Sequence, residues 1–370
     1  MRFVIFTHSL ISDWNHGNAH FLRGIATGLI SLGHEVRILE PNGGWSLSHL
    51  LAEHGSSAVS DFERAYPAIR SRLYDLESLD LDRALDGADV ALVHEWNPHV
   101  LVRLLGEYRA RHSSLRLFFH DTHHRSVTGP ASMAAYDLSH YDGVLAYGSV
   151  IRDIYRERGW SVHAWTWHEA ADTRVFYPRA AAKEGDLVWV GNWGDEERTS
   201  EIREFLIQPV RELGLKAAVY GVRYPREALA ELADSGIEYR GWLPNYRVPE
   251  VFARYRVTVH IPRRPYARAL PGIPTIRPFE ALACGIPLVS APWDDTEGLF
   301  RGGRDLLFAA NGAQMTAHLR AVLSDCVLAE SLSRCGLETI RSRHTCSHRV
   351  KQLLEIIAAS ESRASGEGAS

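Results

Sequence analysis

The sequence contains few cysteines, and none of them forms a paired motif. Only four occur among 370 residues: Cys284, Cys326, Cys335 and Cys346. They show neither a Cys-x-x-Cys pair nor the ligand spacing of a zinc site, and Cys284 lies inside an apolar run. We therefore expect buried free thiols, with neither a disulfide framework nor a cysteine-based redox centre.

Long runs of apolar or of basic residues are also missing. No apolar stretch reaches the roughly 18 residues of a membrane span, and Met1 leads directly into a short apolar segment instead of a signal peptide. The net charge is -4, and no Lys/Arg run is long enough to bind a phosphate backbone. We expect a cytoplasmic chain with no transmembrane segment and no nucleic-acid partner; homo-oligomerisation is left open.

The sequence does contain the alternation of short apolar strands and amphipathic helices that is typical of parallel α/β sheets. The helix predicted over residues 19–32 shows it best, because Phe21, Ile25, Leu29 and Leu32 recur at helical spacing. The predicted strands are residues 3–6, 35–39, 90–93, 115–119, 143–146, 162–165, 187–191, 216–220, 237–240, 257–261, 287–290 and 305–308. The predicted fold class is α/β, with two doubly wound Rossmann-like domains facing each other across a cleft.

The predicted domain boundary lies in residues 172–184, where a proline and a small-residue run interrupt the pattern. We predict an N-terminal domain in residues 1–177 and a C-terminal domain in residues 178–345. Residues 346–359 form a last helix that is a candidate to pack back on the first domain. Residues 360–370 are rich in Ser, Gly and Ala, and we expect a flexible tail there.

In the second half, a Gly/Pro-rich loop leads into a helix near Pro278. Backbone N-H groups at such a helix start bind phosphate, and Arg277 could supply a counter-charge. Glu280, one turn further on, could accept hydrogen bonds from a ribose. Strand ends nearby add Arg263 and Arg198, although a surface arginine explains Arg198 about as well.

In the first half, a dense polar group follows an apolar strand: His120, Asp121, His123 and His124. Side chains after such strands lie at the ligand-binding edge of a sheet. Three histidines and an aspartate could also bind zinc, but the spacing of known zinc motifs is absent. The Asp80-Leu81-Asp82 triplet resembles a metal-binding motif, yet it precedes a helix, and we expect it to cap that helix.

Residues 279–290, FEALACGIPLVS, resemble the donor-site segment of GT-B glycosyltransferases, in which two Glu residues stand eight positions apart. Glu280 matches the second Glu, whereas Gly272 replaces the first. Within the retaining family 4 enzymes, the run R-P-F-E at residues 277–280 is similar to the branch of spore-maturation-protein-like glycosyltransferases. Residues 172–178 also resemble the linker that precedes the donor domain in such enzymes.

The resemblance implies transfer of a sugar from a nucleotide-diphosphate donor without a metal and with retention of configuration. It makes His120 an active-site residue oriented by Asp121, and Arg263 a group that stabilises the leaving diphosphate. The implied donor-binding residues are Gly191, Asn192, Arg198, Trp242, Leu243, Arg263, Thr275, Ile276, Arg277 and Glu280. The candidates on the acceptor side are Asp13, His16, Gly17 and Glu95.

Three rival functions, the stereochemistry of transfer and the place of Trp242 stay open at the sequence level. If the reaction inverts, a protein base is needed, and Asp13, Asp121 and Glu95 are the candidates. A sugar-nucleotide epimerase could use the same scaffold, and a silent nucleotide-sugar-binding subunit would fit Gly272. A metal-dependent hydrolase built on the histidines is a remote third. For Trp242, a place in the core competes with a place in the nucleobase pocket.

Overall fold

The computed structural model describes residues 1–367 and the side chains as far as Glu361. The chain divides into two compact units. We call Met1–His168 together with the residues from Cys346 onward the N unit, and Glu169–Thr345 the C unit. The division after His168 falls before Asp172, so the linker-like segment lies at the start of the C unit.

The N unit contains a seven-stranded sheet in the order β3-β2-β1-β4-β5-β6-β7, with every pair parallel. Its strands are β1 (Arg2–Phe6), β2 (Glu35–Pro41), β3 (Ser71–Tyr74), β4 (Val90–His94), β5 (Arg116–Asp121), β6 (Gly143–Ala146) and β7 (Ala164–Thr166). Central strands of a parallel sheet are buried on both faces, which explains the continuous apolar runs of β1, β4 and β5.

Helices cover this sheet. They are α1 (Ala19–Ser31), α2 (Trp45–His54), α3 (Ser57–Ala65), α4 (Leu81–Ala84), α5 (His99–Arg111), α6 (Arg125–Thr128), α7 (Pro130–Ala134) and α8 (Ser149–Glu157). The predicted apolar face of α1 is buried except for Leu32, which follows the helix and is 61% exposed. Asp80 accepts a hydrogen bond from the Arg83 amide at 3.1 Å, so it caps α4 as predicted.

The C unit contains a six-stranded parallel sheet in the order β10-β9-β8-β11-β12-β13. Its strands are β8 (Gly185–Val190), β9 (Ala217–Tyr220), β10 (Ile237–Tyr239), β11 (Tyr255–His260), β12 (Leu288–Ser290) and β13 (Leu307–Phe308). The strand order reverses between β8 and β11, which is where open α/β sheets bind ligands. The predicted fold class, two doubly wound Rossmann-like sheets, is confirmed.

Two apolar clusters, one on each face of this sheet, form the core of the C unit. Alternation along β8 places Leu187 and Trp189 in one cluster and Val188 and Val190 in the other. The helices are α9 (Thr199–Ile202), α10 (Gln208–Leu213), α11 (Arg226–Asp234), α12 (Val248–Arg254), α13 (Arg264–Ala269), α14 (Ile276–Ala283), α15 (Gly312–Ser324) and α16 (Cys326–Arg343). A π-helical turn joins α9 to α10.

The last helix, α17 (Cys346–Glu367), belongs to the N unit, where it packs against α1. The indole of Trp167 donates to the Arg349 carbonyl at 2.9 Å. The sequence predicted a flexible tail after residue 359, but the helix continues to Glu367, and residues 368–370 lie outside the described residues. The tail was predicted from its Ser, Gly and Ala content, but alanine, arginine and glutamate in this segment are good helix formers.

Two further sequence expectations concern the whole chain. Within residues 1–367, none of the helices combines the length and apolarity of a membrane-spanning helix. All four cysteines carry free thiols; Cys284 and Cys346 are buried, Cys335 is half-buried and Cys326 is exposed. The expectation of buried thiols therefore holds for two of the four positions.

Candidate functional site

The loop after β8 positions Arg198 at the carboxyl edge of the C-unit sheet. Its guanidinium donates to the Ile261 carbonyl at 3.0 Å and to the Asn192 carbonyl, and it lies 5.1 Å from the ring centre of Trp189. A side chain on Gly194 would collide with this arginine, since an added Cβ would stand 2.7 Å from its Nε. The backbone therefore fixes Arg198 against the strand ends, and it is not a freely solvated surface arginine.

Three guanidinium groups interact electrostatically at this edge. Burial, together with the positive charges of Arg263 and Arg277, lowers the pKa of Arg198 to about 9. Glu197 pairs with Arg263 at 2.9 Å, and Glu280 pairs with Arg277. Two carboxylates therefore face three cations. An excess of positive charge at the ends of parallel strands favours a bound anion.

Helix α14 adds an anion-binding feature of its own. It begins at Ile276 with no side-chain cap and no acidic residue in its first turn. Thr275, just before it, has a φ of 62°, which a β-branched residue adopts rarely and at a cost. The first backbone N-H groups of the helix are therefore not capped by a side chain, and the positive end of the helix dipole favours negative charge there.

Glu280 is fully buried on α14 and is bonded through both carboxylate oxygens. Asn245 donates to its Oε1 at 2.6 Å, and Arg277 donates to its Oε2. Each carboxylate oxygen can accept more than one hydrogen bond, so the predicted ribose contact stays a prediction. Asn245 was not among the predicted donor-binding residues, although it lies two positions after Leu243, which was.

Trp242 and Leu243 follow β10 and are both half-buried. Trp242 is absent from the buried core of the C unit, so the alternative of a core tryptophan is not met. Leu243 packs against one of the two apolar clusters. Gly241, immediately before them, has a φ of 72° and no atoms within 4 Å of an added Cβ. The backbone turn at this position therefore needs glycine for its conformation and not for space.

Gly272 occupies a position that cannot accept the missing motif glutamate without rearrangement. Its φ is 86°, and an added Cβ would stand 2.8 Å from both Cγ and Oε1 of Glu297. Glu297, which lies in the loop after β12, brings a carboxylate beside position 272, where the family pattern has a glutamate.

We expect Gly272→Ala to lower the free energy of unfolding by about 2 kcal/mol or more, because it combines left-handed strain with a clash. Gly214→Ala is the matched control: its φ is 62°, but no atom lies within 4 Å of the added Cβ. It therefore carries the strain alone. Urea denaturation of both variants measures the difference, and equal losses would contradict the crowding at Gly272.

In the N unit, the loop after β1 is held by two buried charged residues. Arg23 donates at 2.8 Å to the carbonyls of Leu10 and Ile11 and to a carboxylate oxygen of Asp13. Glu40 accepts from the Leu10 amide at 2.7 Å. Asp13, a candidate on the acceptor side, is thus an ion-pair partner of Arg23. This contact fixes the loop that carries His16 and Gly17.

Four imidazole rings meet at the carboxyl ends of β1, β4 and β5. The ring centres of His8 and His16 are 4.1 Å apart, those of His8 and His94 are 5.2 Å apart, and those of His94 and His120 are 5.4 Å apart. Burial lowers the pKa of His8 and of His120 to about 3, and it lowers the pKa of His16 and His94 well below 6.5. The rings are therefore neutral near pH 7. His8 was missing from the predicted site, although it lies just after β1.

Glu95 and Asp121 follow His94 and His120 by one residue, so strand alternation directs them to the opposite face of the sheet. Glu95 accepts from Arg125 Nε at 3.0 Å. Asp121 accepts from the Tyr155 hydroxyl at 2.9 Å and from the His123 amide at 3.1 Å. The predicted orienting contact between Asp121 and the His120 ring is absent from the described residues.

The two carboxyl groups share one environment. Burial, followed by the charge of Asp121, raises the pKa of Glu95 to about 8, and burial raises the pKa of Asp121 to about 6. Both are strongly perturbed groups at strand ends, which is a property of many functional sites. Their protein partners also give them a structural role, since they tie α6 and α8 to the sheet edge.

The metal alternative required the histidines after β5 to converge with Asp121. The rings of His123 and His124 contact each other with centres 3.9 Å apart and planes tilted by 37°, while Asp121 accepts a hydrogen bond from Tyr155. Among the residues that the structure describes, no three His, Cys, Asp or Glu side chains form a group that could hold a metal ion. The histidines and Asp121 that were weighed as zinc ligands do not form such a group.

Residues 198–355, less than half of the chain, match the family described as "Glycosyl transferase-like". Over this segment the chain is similar to glycosyltransferases. Its two doubly wound parallel sheets agree with the predicted GT-B fold, which solved structures share. No curated protein matches its sequence.

Solved structures show the same fold at low sequence identity. A sucrose-phosphate synthase from Thermosynechococcus elongatus is 12% identical with a TM-score of 0.66, over 98% of this chain and 100% of that one. Anabaena HepE in complex with UDP and glucose is 12% identical with a TM-score of 0.68, over 97% and 99%. T4 phage BGT in complex with UDP and Mn2+ is 12% identical with a TM-score of 0.63, over 96% and 99%.

Proposed function

We propose that this chain transfers a sugar from a nucleotide-diphosphate donor to an acceptor hydroxyl. The observation that carries the proposal is the excess of positive charge around Arg198, Arg263 and Arg277, beside the uncapped start of α14. A diphosphate carries the charge and the oxygen atoms that such a site accommodates. The presence of UDP in the complexes of HepE and of BGT supports this choice of ligand.

In this proposal the guanidinium groups stabilise the negative charge that develops on the leaving diphosphate. Arg263 is the main candidate because it lies at the end of β11, while Arg198 is also used to hold the backbone. Thr275 and Ile276 contribute the helix start, and Glu280 contacts the ribose. Glycines and amides near residues 191–192 and 242–243 approach the nucleotide.

We further propose that transfer needs no metal and retains the anomeric configuration. In such a reaction an oxygen of the departing diphosphate takes the proton of the acceptor hydroxyl. The hydroxyl attacks from the same face of the sugar that the diphosphate leaves, so no protein nucleophile is required. Residues 277–280 favour the spore-maturation-protein-like branch of the retaining family 4 enzymes. The rival that Gly272 suggested from the sequence is a subunit that binds the donor and transfers nothing.

The N unit supplies the acceptor side. The ring of His120 is oriented by packing against Trp167, with ring centres 4.9 Å apart, and we assign it to the point where the transferred sugar meets the acceptor. His16 and Gly17 belong to the loop fixed by Arg23. Glu95 and Asp13 act mainly through their ion pairs with Arg125 and Arg23, and so position this edge of the sheet.

A thermal-shift screen tests the donor site. Because a ligand that binds only the folded state raises its stability, a nucleoside diphosphate at about 100 times its Kd should raise Tm by about 5 °C or more. UDP, GDP, ADP and TDP are compared in EDTA and in Mn2+. A shift in EDTA supports binding without metal. A shift only in Mn2+ contradicts metal independence, and no shift in either condition contradicts the proposed function.

A further inference from the structure

The buried imidazole nitrogens of the N unit that have no hydrogen-bond partner among the described residues include His8 Nδ1, His94 Nδ1 and His120 Nε2. Burying a polar atom without a partner is unfavourable, because its hydrogen bond to water is lost and not replaced. Native proteins contain few such atoms, and each calls for an explanation. Three of them on neighbouring rings point to a ligand that supplies hydrogen bonds to all three.

The rings are held in place by contacts that leave these nitrogens unused. His94 is fixed through its other nitrogen, Nε2, which lies 3.0 Å from the Thr122 hydroxyl. The His120 ring packs edge-on against Trp167 and at 5.9 Å from Phe21. The strand ends of β1, β4 and β5 thus present a fixed row of imidazoles.

The charge state of this row narrows the class of ligand. Burial is the largest cause of the lowered pKa at each of the three rings, so all three are neutral near pH 7. A neutral imidazole carries one N-H donor and one bare nitrogen acceptor. A hydroxyl group also donates and accepts, whereas a phosphate or carboxylate only accepts. The row therefore matches several hydroxyl groups better than it matches an anion.

An exposed aromatic ring stands at the edge of this row. Trp96 keeps 41% of its surface exposed, and its ring centre lies 6.0 Å from that of His8. Arg125 stacks on it at 4.3 Å, and His123 meets it at 4.9 Å. A large aromatic ring beside a few fixed polar groups is the composition of small-molecule sites. Sugars fit it, because they have apolar C-H faces and a rim of hydroxyl groups.

We propose that Trp96, His8, His94 and His120 bind a neutral sugar unit of the acceptor. The proposal rests on the proposed function, which requires an acceptor hydroxyl but does not say what carries it. The sugar stacks on Trp96 and exchanges hydrogen bonds with the three imidazoles. A transition metal is the competing ligand for clustered imidazoles, but these rings form no group that could hold a metal ion among the described residues.

Calorimetric titration of the full chain with neutral methyl glycosides and disaccharides tests this site. We expect at least one saccharide to bind, and Trp96→Ala and His8→Asn each to weaken that binding about tenfold or more. Trp45→Ala is the matched control. Trp45 is 51% exposed and lies 4.6 Å from a histidine ring, but that ring, His49, has its Nδ1 occupied by the Trp45 carbonyl. This control should bind as the unmodified chain does.

Two variants keep the test informative if one of them fails to fold, which circular dichroism detects. Failure of every saccharide to bind would overturn the proposal. So would binding that survives both Trp96→Ala and His8→Asn, or Zn2+ binding that His8→Asn abolishes in a chain that binds no saccharide.

The donor screen is independent of this result: a nucleotide shift without saccharide binding overturns the sugar site alone. Saccharide binding without any nucleotide shift overturns the donor proposal and leaves the sugar site standing.

Discussion

Replacement of Arg263 by Gln is expected to weaken nucleoside-diphosphate binding about 100-fold, or about 3 kcal/mol. The change removes one of the three guanidinium groups that converge on the carboxyl edge of the C-unit sheet. Glutamine keeps a polar amide but is shorter and uncharged, so the loss reports the guanidinium group as a whole, its charge together with its fork of N-H donors. Calorimetric titration in EDTA measures the affinity, and the same variant should lose at least as much in the turnover of a nucleotide sugar.

The matched control for this prediction is Arg203→Gln. Arg203 is also ion-paired, to Glu231 at 2.9 Å, but its side chain is 56% exposed and it belongs to the π-helical turn after α9. An exposed ion pair contributes little, so this variant should bind nucleotides as the unmodified chain does. Equal losses in both variants would mean that Arg263 acts through net charge alone, and unchanged binding in Arg263→Gln would remove it from the site.

Replacement of Arg23 by Met is expected to lower the free energy of unfolding by about 3–5 kcal/mol. Arg23 is completely buried, and its guanidinium donates to two carbonyls and to Asp13. Methionine fills much of the volume but leaves a buried carboxylate and two carbonyls without their donor. Urea denaturation at pH 7 measures the change.

Arg64→Met is the control, because Arg64 is 72% exposed and its ion pair with Asp61 lies on the surface of α3. We expect a change within about 0.5 kcal/mol for it. A second readout separates fold from function: saccharide binding at His8 and Trp96 should fall in Arg23→Met even where the protein is folded, since the loop after β1 is released. A loss below about 1 kcal/mol would contradict the assigned role of Arg23.

The fold could be predicted because its signal is local. Strands such as β1 and β5 are continuous apolar runs, and α1 has a clear helical period that ends at Gly33, whose φ is 82°. The edge strand β3 was missed because only one of its residues, Tyr74, is buried. Its two middle residues are exposed, and a run that is not apolar does not look like a parallel strand.

The candidate site could be predicted only in part. Polar residues after apolar strands were found, since strand ends are visible in the sequence. Which side chains pair with each other was not visible, because the partners are distant along the chain: Arg23 with Asp13, Arg125 with Glu95, and Asn245 with Glu280. Asp13, Glu95 and Glu280 were predicted to contact a ligand, but in the structure their carboxylates bind other residues of the protein and so hold the site together.

The left-handed backbone at Gly272 is a second feature that the sequence could not reveal. The motif showed a glycine where a glutamate was expected, which left a catalytically silent subunit as an alternative. The structure places Glu297, from the loop after β12, beside this glycine, so a carboxylate still lies at this position. Gly272 therefore does not by itself argue that the chain has lost activity.

Incubation of the purified chain with nucleotide sugars in EDTA, with the saccharide that binds best as acceptor, tests the central claim most directly. We predict release of a nucleoside diphosphate that depends on the acceptor, with the new bond in the anomeric configuration of the donor. Conversion of the sugar nucleotide into its epimer, with no acceptor and no net release of nucleoside diphosphate, would indicate an epimerase. Donor binding without any release would contradict sugar transfer and leave a nucleotide-sugar-binding subunit.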